Sequence, residues 1–308
     1  GGVTAVINAT ACGVIETART NRRRIGRVYA GRNGIIGALT EDLIDTSRET
    51  KSAVAALRST PAGAFGSCRY KLKSVGENPE EFQRLIAVFK AHDIGYFFYN
   101  GGGDSADTCL KISQLSRSTG YPIQAIHIPK TVDNDLPITD NCPGFGSVAK
   151  YIAVSTREAS FDVASMAKTS TKVFIIEVMG RAAGWLAAGT VLAKRKPTDG
   201  PHIILLPEIP LDEEKFLAKV QETVHQLGYC VVVTGEGVKD KDGNELGADK
   251  TRLDSFGHPV LSGAAEALGE IVHGKLELKT RTVKLGYAQR SAAHFASQQD
   301  VDEAVACG

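Results

Sequence analysis

Short apolar runs alternate along this chain with stretches of helical periodicity. The runs Tyr96–Tyr99, Ile123–Ile128, Val173–Val178, His202–Leu206, Cys230–Thr234 and Thr282–Leu285 are rich in Val, Ile and aromatic residues and lack polar alternation. Strands buried on both faces have this composition. The stretches between them carry helix start and stop signals. Asn78 reads as an N-cap, with Pro79 in the first turn and Glu80 and Glu81 near the positive end of the helix dipole. Phe82, Leu85, Ile86 and Phe89 then follow at the spacing of one helix face. Asp212, Glu213 and Glu214 open a second helix carrying Phe216, Leu217, Val220, Val224 and Leu227, with Gly228 past its end. A long helix is predicted from about Gly146 to Ala167. Strands alternating with helices predict crossover units and a mostly parallel sheet, so the fold class is α/β.

Composition narrows the function classes. The 308 residues can fill one large domain or two of moderate size. With a net charge of +1 and Arg22-Arg23-Arg24 as the densest basic run, no nucleic-acid partner is expected. No apolar stretch reaches the ~18 residues of a membrane span, so no membrane partner is expected either. The six cysteines (Cys12, Cys68, Cys109, Cys142, Cys230 and Cys307) show no Cys-x-x-Cys spacing. Reduced thiols in a cytoplasmic protein fit them better than a disulfide framework or a zinc site. The seven histidines form no pair at helical ligand spacing, which argues against a histidine metal cage. Trp185 reads as a packing residue, and His127, inside a strand run, as a satisfied core histidine. The chain opens on Gly1-Gly2 and closes after Asp300–Ala306, which reads as an unfinished helix. A segment of a longer chain, lacking both termini, is the expectation.

Ligands of open α/β sheets bind beyond the carboxyl ends of strands. After Tyr96–Tyr99 comes Asn100-Gly101-Gly102-Gly103-Asp104-Ser105, and after Ile123–Ile128 comes Pro129-Lys130-Thr131-Val132-Asp133-Asn134-Asp135. After Val173–Val178 comes Met179-Gly180-Arg181, after Cys230–Thr234 Gly235-Glu236-Gly237, and after Thr282–Leu285 Gly286-Tyr287-Ala288-Gln289-Arg290. Glycine, charge or both at five strand ends points to one polar cleft with phosphate ligands.

The triple glycine opens a helix near Asp104 or Ser105, where backbone N–H groups and the helix dipole favour an anion. Asp104 opposes that anion unless a cation intervenes. It is either an N-cap, or a residue that selects the phosphate donor or holds its Mg2+. Lys130 and Asp133 suit the cation and the base of a kinase, against the alternative of a solvated loop turning at Asn134. Arg69, Arg181, Arg281 and Arg290 are candidate phosphate clamps, since a guanidinium matches phosphate oxygens in a bidentate fork. Glu236 can accept bonds from sugar hydroxyls.

With these residues in view, the chain resembles the phosphofructokinase family. Gly1-Gly2 with Asn8, Phe65-Gly66-Ser67-Cys68-Arg69, Pro129 to Asp135, Glu177 to Arg181, Gly235-Glu236 and Arg281 to Arg290 match its motifs in order. The resemblance implies two Rossmann-like α/β domains with the active site in the cleft between them. A donor domain would cover 1–144 plus 289–308, and a sugar-phosphate domain 145–288. It implies reversible, Mg2+-dependent transfer of a phosphoryl group to the 1-hydroxyl of fructose 6-phosphate, a step of glycolysis and gluconeogenesis. By resemblance Asp133 is the base, with Asp135 close by. Gly2, Thr131, Met179, Gly180, Arg181, Glu236, Tyr287 and Arg290 would serve the sugar phosphate. Arg281, with Lys172 in place of a second arginine, would reach the 6-phosphate of a neighbouring subunit, which implies a homodimer or homotetramer. Arg69, Lys130, Gly102, Gly103, Asp104 and Ser105 would face the donor.

Donor choice rests on Asp104 and Lys130. ATP-using members usually carry glycine at both positions, and pyrophosphate-using members resemble this chain. The resemblance therefore implies pyrophosphate as donor. The alternatives are an ATP-dependent sugar kinase and a non-catalytic sugar-phosphate-binding regulatory subunit. Three departures stand out. Gly103 replaces an Asp that helps bind magnesium in many members, leaving Asp104 as the one candidate metal ligand. Tyr287 replaces a histidine, and Ser291 a glycine, of ATP-users. The strand expected before Gly1 is absent, which should leave apolar surface exposed and the segment poorly stable on its own.

Overall fold

The computed structural model describes residues 2–74, 76–253, 259–261 and 263–308; Gly1 of the first motif lies outside them. The chain forms two compact units. One comprises Gly1–Thr131, Leu136–Gly146 and Ala296–Gly308, the other Val132–Asp135 and Ser147–Phe295. Both are α/β.

The first unit runs α1 (Ile7–Thr20), β1 (Tyr29–Gly31), α2 (Ile35–Thr40), β2 (Leu43–Asp45), α3 (Lys51–Ala56), α4 (Pro79–Ala91), β3 (Tyr96–Gly101), α5 (Gly103–Thr119) and β4 (Gln124–Pro129). β1 and β2 pair antiparallel, while β3 and β4 pair in parallel with Tyr96 opposite Gln124 and Gly101 opposite Pro129. Phe82, Leu85 and Phe89 of α4 close over Ile112 and Leu115 of α5. Burying each such side chain stabilises by about 1.5–3 kcal/mol. Asn78 does stand at the N-cap of α4, but its side chain makes no capping bond among the described residues; Glu80 and Glu81 supply the first-turn charge.

β3 and β4 depart from the expectation of strands buried on both faces. Tyr96, Phe98 and Ile126 are exposed. Tyr96 and Phe98 border a cavity of about 940 Å³ also lined by Ile7, Val14 and Val28. Among the described residues β3 pairs with β4 alone, so these side chains meet open volume in place of a packed layer.

The helix Gln298–Cys307 completes this unit by packing on α1, where Ala5, Val6 and Ala9 meet Val301 and Ala304. Gly144 joins it to the loop after β4. Its N–H donates to Asp300 Oδ1 at 2.8 Å, and Asp300 is buried. Gly144 has φ +112°, and a Cβ there would come within 2.8 Å of Thr4 Cγ2.

The chain enters the second unit along α6 (Phe145–Met166). Then follow β5 (Val173–Val178), α7 (Trp185–Gly189), β6 (Ile203–Leu205), α8 (Glu213–Leu227), β7 (Cys230–Gly235), β8 (Ala248–Leu253), β9 (Pro259–Leu261), α9 (Ala264–Leu276), β10 (Thr280–Lys284) and α10 (Gly286–Ser291). β10, β5, β7 and β6 form an all-parallel sheet in that order. Val173, Ile175 and Val232 of the sheet pack with Val220 of α8 and Leu268 and Val272 of α9. Every residue of β7 is buried, as its unbroken apolar run implies. Asp212 caps α8 by accepting from Lys215 N, and Gly228 ends it at φ +86°.

Trp185 corrects a second expectation. It is 56% exposed, because the inward positions of the short α7 are Leu186 and Ala187. Cys12, Cys109, Cys142 and Cys230 are buried, and burial pushes the Cys109 and Cys230 thiols up to about 12. Among the described residues no helix is long and apolar enough to cross a membrane.

Gly144→Ala is expected to destabilise the protein by about 2 kcal/mol or more, because a side chain there combines a left-handed backbone with a steric clash. Gly274→Ala, in α9 with open space around it, should be neutral or stabilising by up to ~1 kcal/mol. Urea unfolding of the two variants beside the parent checks both.

Candidate active site

The parallel register of β3 and β4 brings two of the sequence-predicted clusters to one level. Lys130 N donates to Gly101 O at 3.1 Å, so the loop after β4 continues beside the triple glycine. A Cβ on Gly102 would lie 3.7 Å from Lys130 O, which confirms the close approach of the two backbones. Lys130 is buried and Thr131 half-buried, and Thr131 forms a parallel bridge with Gly144. His127 is satisfied as expected: its Nε2 lies 2.8 Å from Gly101 O, which fixes the end of β3.

α5 starts at Gly103 with Gly102 as its N-cap. Asp104 is therefore not a cap; it sits in the first turn, because the backbone enters the helix one residue earlier than the side-chain preference of Asp suggested. Its Oδ1 lies 3.1 Å from Lys71 Nζ. Ser105 is buried, and its N–H donates to Gly102 O. The helix thus presents Gly102 and Gly103 at the positive end of its dipole, where an anion is favoured.

Asn8, buried in α1, shapes the approach of Arg69. Asn8 Nδ2 donates to Thr60 O and Ala62 O, each at 2.8 Å, and Asn8 Oδ1 accepts from Ala64 N at 2.9 Å. The chain then turns at Gly66, with φ +75°, into Ser67-Cys68-Arg69. Gly2 lies ahead of α1, whose start is drawn toward β3 by a 3.4 Å bond from Asn100 Nδ2 to Ile7 O.

In the second unit the ends of β5, β7 and β10 converge. Glu236 N donates to Val178 O at 3.0 Å, and Gly180 N donates to Glu236 Oε1 at 3.4 Å. Gly180 has φ +117°, and a Cβ on Gly237 would collide with Arg181 O at 1.8 Å. The glycines are required by this packing of strand ends. Arg181 Nε lies 3.5 Å from Glu245 Oε1, and the Arg290 guanidinium lies over the Tyr287 ring at 4.0 Å. Tyr287 thus gives Arg290 an aromatic face to rest on. Asp133 is half-buried and Asp135 exposed, on either side of Asn134, which takes φ +53°.

Two residues here lie in motifs named from the sequence but had no role assigned to them. Gln289 is buried, accepts from Met179 N at 3.3 Å and donates to Gly286 O at 3.0 Å, tying β5 to α10. Glu177 is fully buried; it pairs with Lys284 Nζ at 2.9 Å and accepts from Ala265 N at 3.0 Å. An acid ending an otherwise apolar strand was the available signal for Glu177; Gln289 carried none.

Lys172 and Arg281 are not brought to this cluster. Lys172 precedes β5, and Arg281 pairs with Phe174 near the amino ends of the strands. At ~3.3 Å per residue, roughly 17 Å of strand separates Arg281 from the level of Met179, and roughly 23 Å separates Lys172 from it. Lys172 Nζ donates to Ala167 O.

Burial raises the pKa of the Glu236 carboxyl, against the opposing pull of Lys284 and the Gly180 N–H. Among the described residues no three His, Cys, Asp or Glu side chains group as a metal cage.

Known proteins resemble this chain in sequence and in fold. The family described as Phosphofructokinase matches residues 1–304. The chain is 61% identical over its full length, and 73% of theirs, to the pyrophosphate–fructose 6-phosphate 1-phosphotransferase of Halomonas elongata. The enzyme of the same name from Methylococcus capsulatus is 62% identical, with the same coverage. The crystal structure of the pyrophosphate-dependent phosphofructokinase from Nitrosospira multiformis superposes with a TM-score of 0.88 at 61% identity, covering 99% of this chain and 72% of that one.

The raised Glu236 carboxyl predicts a pH dependence with a definite sign. Its acceptor form is lost on protonation, and a raised pKa places that loss above the ordinary glutamate value of ~4.3. Affinity for fructose 6-phosphate, measured calorimetrically from about pH 8 down to about pH 5, should therefore fall, and Glu236→Gln should flatten the profile.

Proposed function

This chain belongs to the phosphofructokinase family, and we propose that it moves a phosphoryl group from pyrophosphate to the 1-hydroxyl of fructose 6-phosphate, giving fructose 1,6-bisphosphate and phosphate. The observation that carries the donor assignment is the placement of Asp104 and Lys130 at the adjoining ends of β3 and β4, around the N-terminus of α5. An acid in the first turn and a buried lysine beside the glycines leave a donor pocket suited to a compact anion.

The chemistry follows from the residue types. Asp133 accepts the proton of the 1-hydroxyl as its oxygen forms a bond to phosphorus. The bond from that phosphorus to the bridging oxygen breaks, and inorganic phosphate leaves. Little covalent work falls to the protein, so positioning and charge stabilisation dominate. Lys130 and Arg69 offset charge on the donor, an effect that is strongest for a cation held in a buried site. Met179, Gly180, Arg181, Glu236 and Arg290 hold the sugar phosphate, with Glu236 accepting from hydroxyls and the arginines gripping phosphate oxygens.

Mg2+ is expected with pyrophosphate, held by phosphate oxygens and water with at most one or two carboxylates, and it would neutralise charge on the transferring group. Asp104 is the candidate carboxylate. The first unit carries the donor residues and the second the sugar-phosphate residues. A cytoplasmic location fits both substrates.

Lys172 and Arg281, at the far ends of their strands, favour a homo-oligomer in which they serve the sugar phosphate of a neighbouring subunit. A homodimer or homotetramer would suffice.

With pyrophosphate and ATP assayed side by side, turnover is expected with pyrophosphate and little with ATP. Asp133→Asn should lower kcat by about 10²–10⁴-fold. Asp104→Gly with Lys130→Gly should abolish use of pyrophosphate, and retained use would refute the donor assignment. Refolding Arg281→Ala together with Asp133→Asn should restore activity that neither variant shows alone. No recovery in the mixture would argue against a shared site.

A further inference from the structure

An acid in the first turn of α5 poses a problem that the donor site must solve. Pyrophosphate carries several negative charges, and a bare carboxylate at that position would repel it while the helix dipole attracts it. We infer that Lys71 is the built-in counter-ion of Asp104, a specificity-determining residue that lets the acid occupy space beside the donor without rejecting it by charge. This inference rests on the reading of the α5 N-terminus as the pyrophosphate site.

The pairing is direct, with Lys71 Nζ 3.1 Å from Asp104 Oδ1 and both side chains about half exposed. An isolated surface pair of this kind is worth little, because ordering two long side chains offsets the attraction. Lys71 is not isolated. Its neighbours on both sides are pinned. Tyr70 OH donates to the Glu81 carboxylate of α4. Leu72 is buried among Phe82, Leu85 and Ile112, and its carbonyl accepts from Lys111 Nζ of α5 at 2.8 Å. Lys111 in turn pairs with Asp107 at 2.7 Å. The backbone of 70–72 is thus strapped across α4 and α5, and much of the ordering cost of Lys71 is met by the fold. Asp104 raises the pKa of the Lys71 ammonium, with Asp107 adding to the effect, so Lys71 stays charged.

The consequence is a division of labour. Asp104 and Lys71 together crowd the first turn of α5, which works against a donor larger than pyrophosphate. Their charges cancel, so Lys130, Arg69 and the helix dipole act on the donor unopposed. The same strap follows directly on Arg69 and sets where that arginine leaves the backbone.

The test is kinetic, with magnesium pyrophosphate as the varied substrate. Wild-type turnover with pyrophosphate is measured first; its absence would sink the donor reading itself, separately from this inference. Given that turnover, Lys71→Met should raise the KM for pyrophosphate about tenfold at low ionic strength, as expected for an uncompensated charge a few ångströms from the ligand. The KM for fructose 6-phosphate should stay within about twofold, and the pyrophosphate effect should shrink at high salt, where exposed charges are screened. Lys71→Arg should restore the wild-type KM. The deciding comparison is Lys71→Met made in an Asp104→Asn background, where loss of the lysine should change the pyrophosphate KM by no more than about threefold, since the charge it compensates is already gone. An unchanged pyrophosphate KM in Lys71→Met would overturn the inference. So would a rise of about tenfold in that KM on adding Lys71→Met to Asp104→Asn, since Lys71 would then act on the donor directly and not through Asp104.

Discussion

The parallel register between Tyr96–Gly101 and Gln124–Pro129 ends both strands at one level, and the same holds for β5, β7 and β10 in the second unit. Parallel strands must be joined by crossovers, so their carboxyl ends all face one way and their loops gather there. Every cluster described above is a consequence of that alignment. Lys130 meets the triple glycine because Pro129 is opposite Gly101. Glu236 meets Gly180 because Gly235 is opposite Val178. A register shift by one residue would separate both pairs and would turn the strand side chains to the wrong face.

The alignment also concentrates charge, and the structure shows how that charge is tolerated. Glu177 sits at the end of β5 with 1% of its surface exposed. A lone carboxylate there would be costly, and removing either partner of a buried pair is far worse than never having built it. Lys284 and the Ala265 N–H supply the compensation. Glu236 has less direct support, and burial accordingly pushes its pKa up. Asp104 keeps a half-exposed carboxylate paired to a lysine. These three acids are met by three different arrangements of cations and N–H donors.

Glycine has the complementary role of bringing backbones close. Gly237 cannot carry a side chain without striking Arg181 O, and Gly144 cannot without striking Thr4. Gly237 lies where one strand-end loop passes another, and Gly144 lies where the segment before α6 passes the residues ahead of α1. The sequence rule that glycine at a strand end permits phosphate binding is therefore incomplete here, because some of these glycines serve loop-on-loop packing.

The amino-acid sequence by itself determined the fold class, the six principal strands, the capped helices at Pro79 and Glu213, and the order of the motifs at the strand ends. Those features depend on local periodicity and turn chemistry, which neighbouring residues carry with them. Only the tertiary structure decided the remainder. That Asp104 is paired to Lys71, 33 positions earlier in the numbering, and that Gln289 ties β5 to α10, are contacts between residues distant along the chain, and no local pattern encodes them. The exposure of Tyr96, Phe98 and Trp185 was misjudged for the same reason: burial depends on what packs against a face, and an apolar run states only what a face could bury. Lys172 and Arg281 depend on tertiary structure too: the resemblance gave them to the sugar phosphate of a neighbouring subunit, and strand direction places them at the opposite end of the sheet from Met179, Gly180 and Arg181.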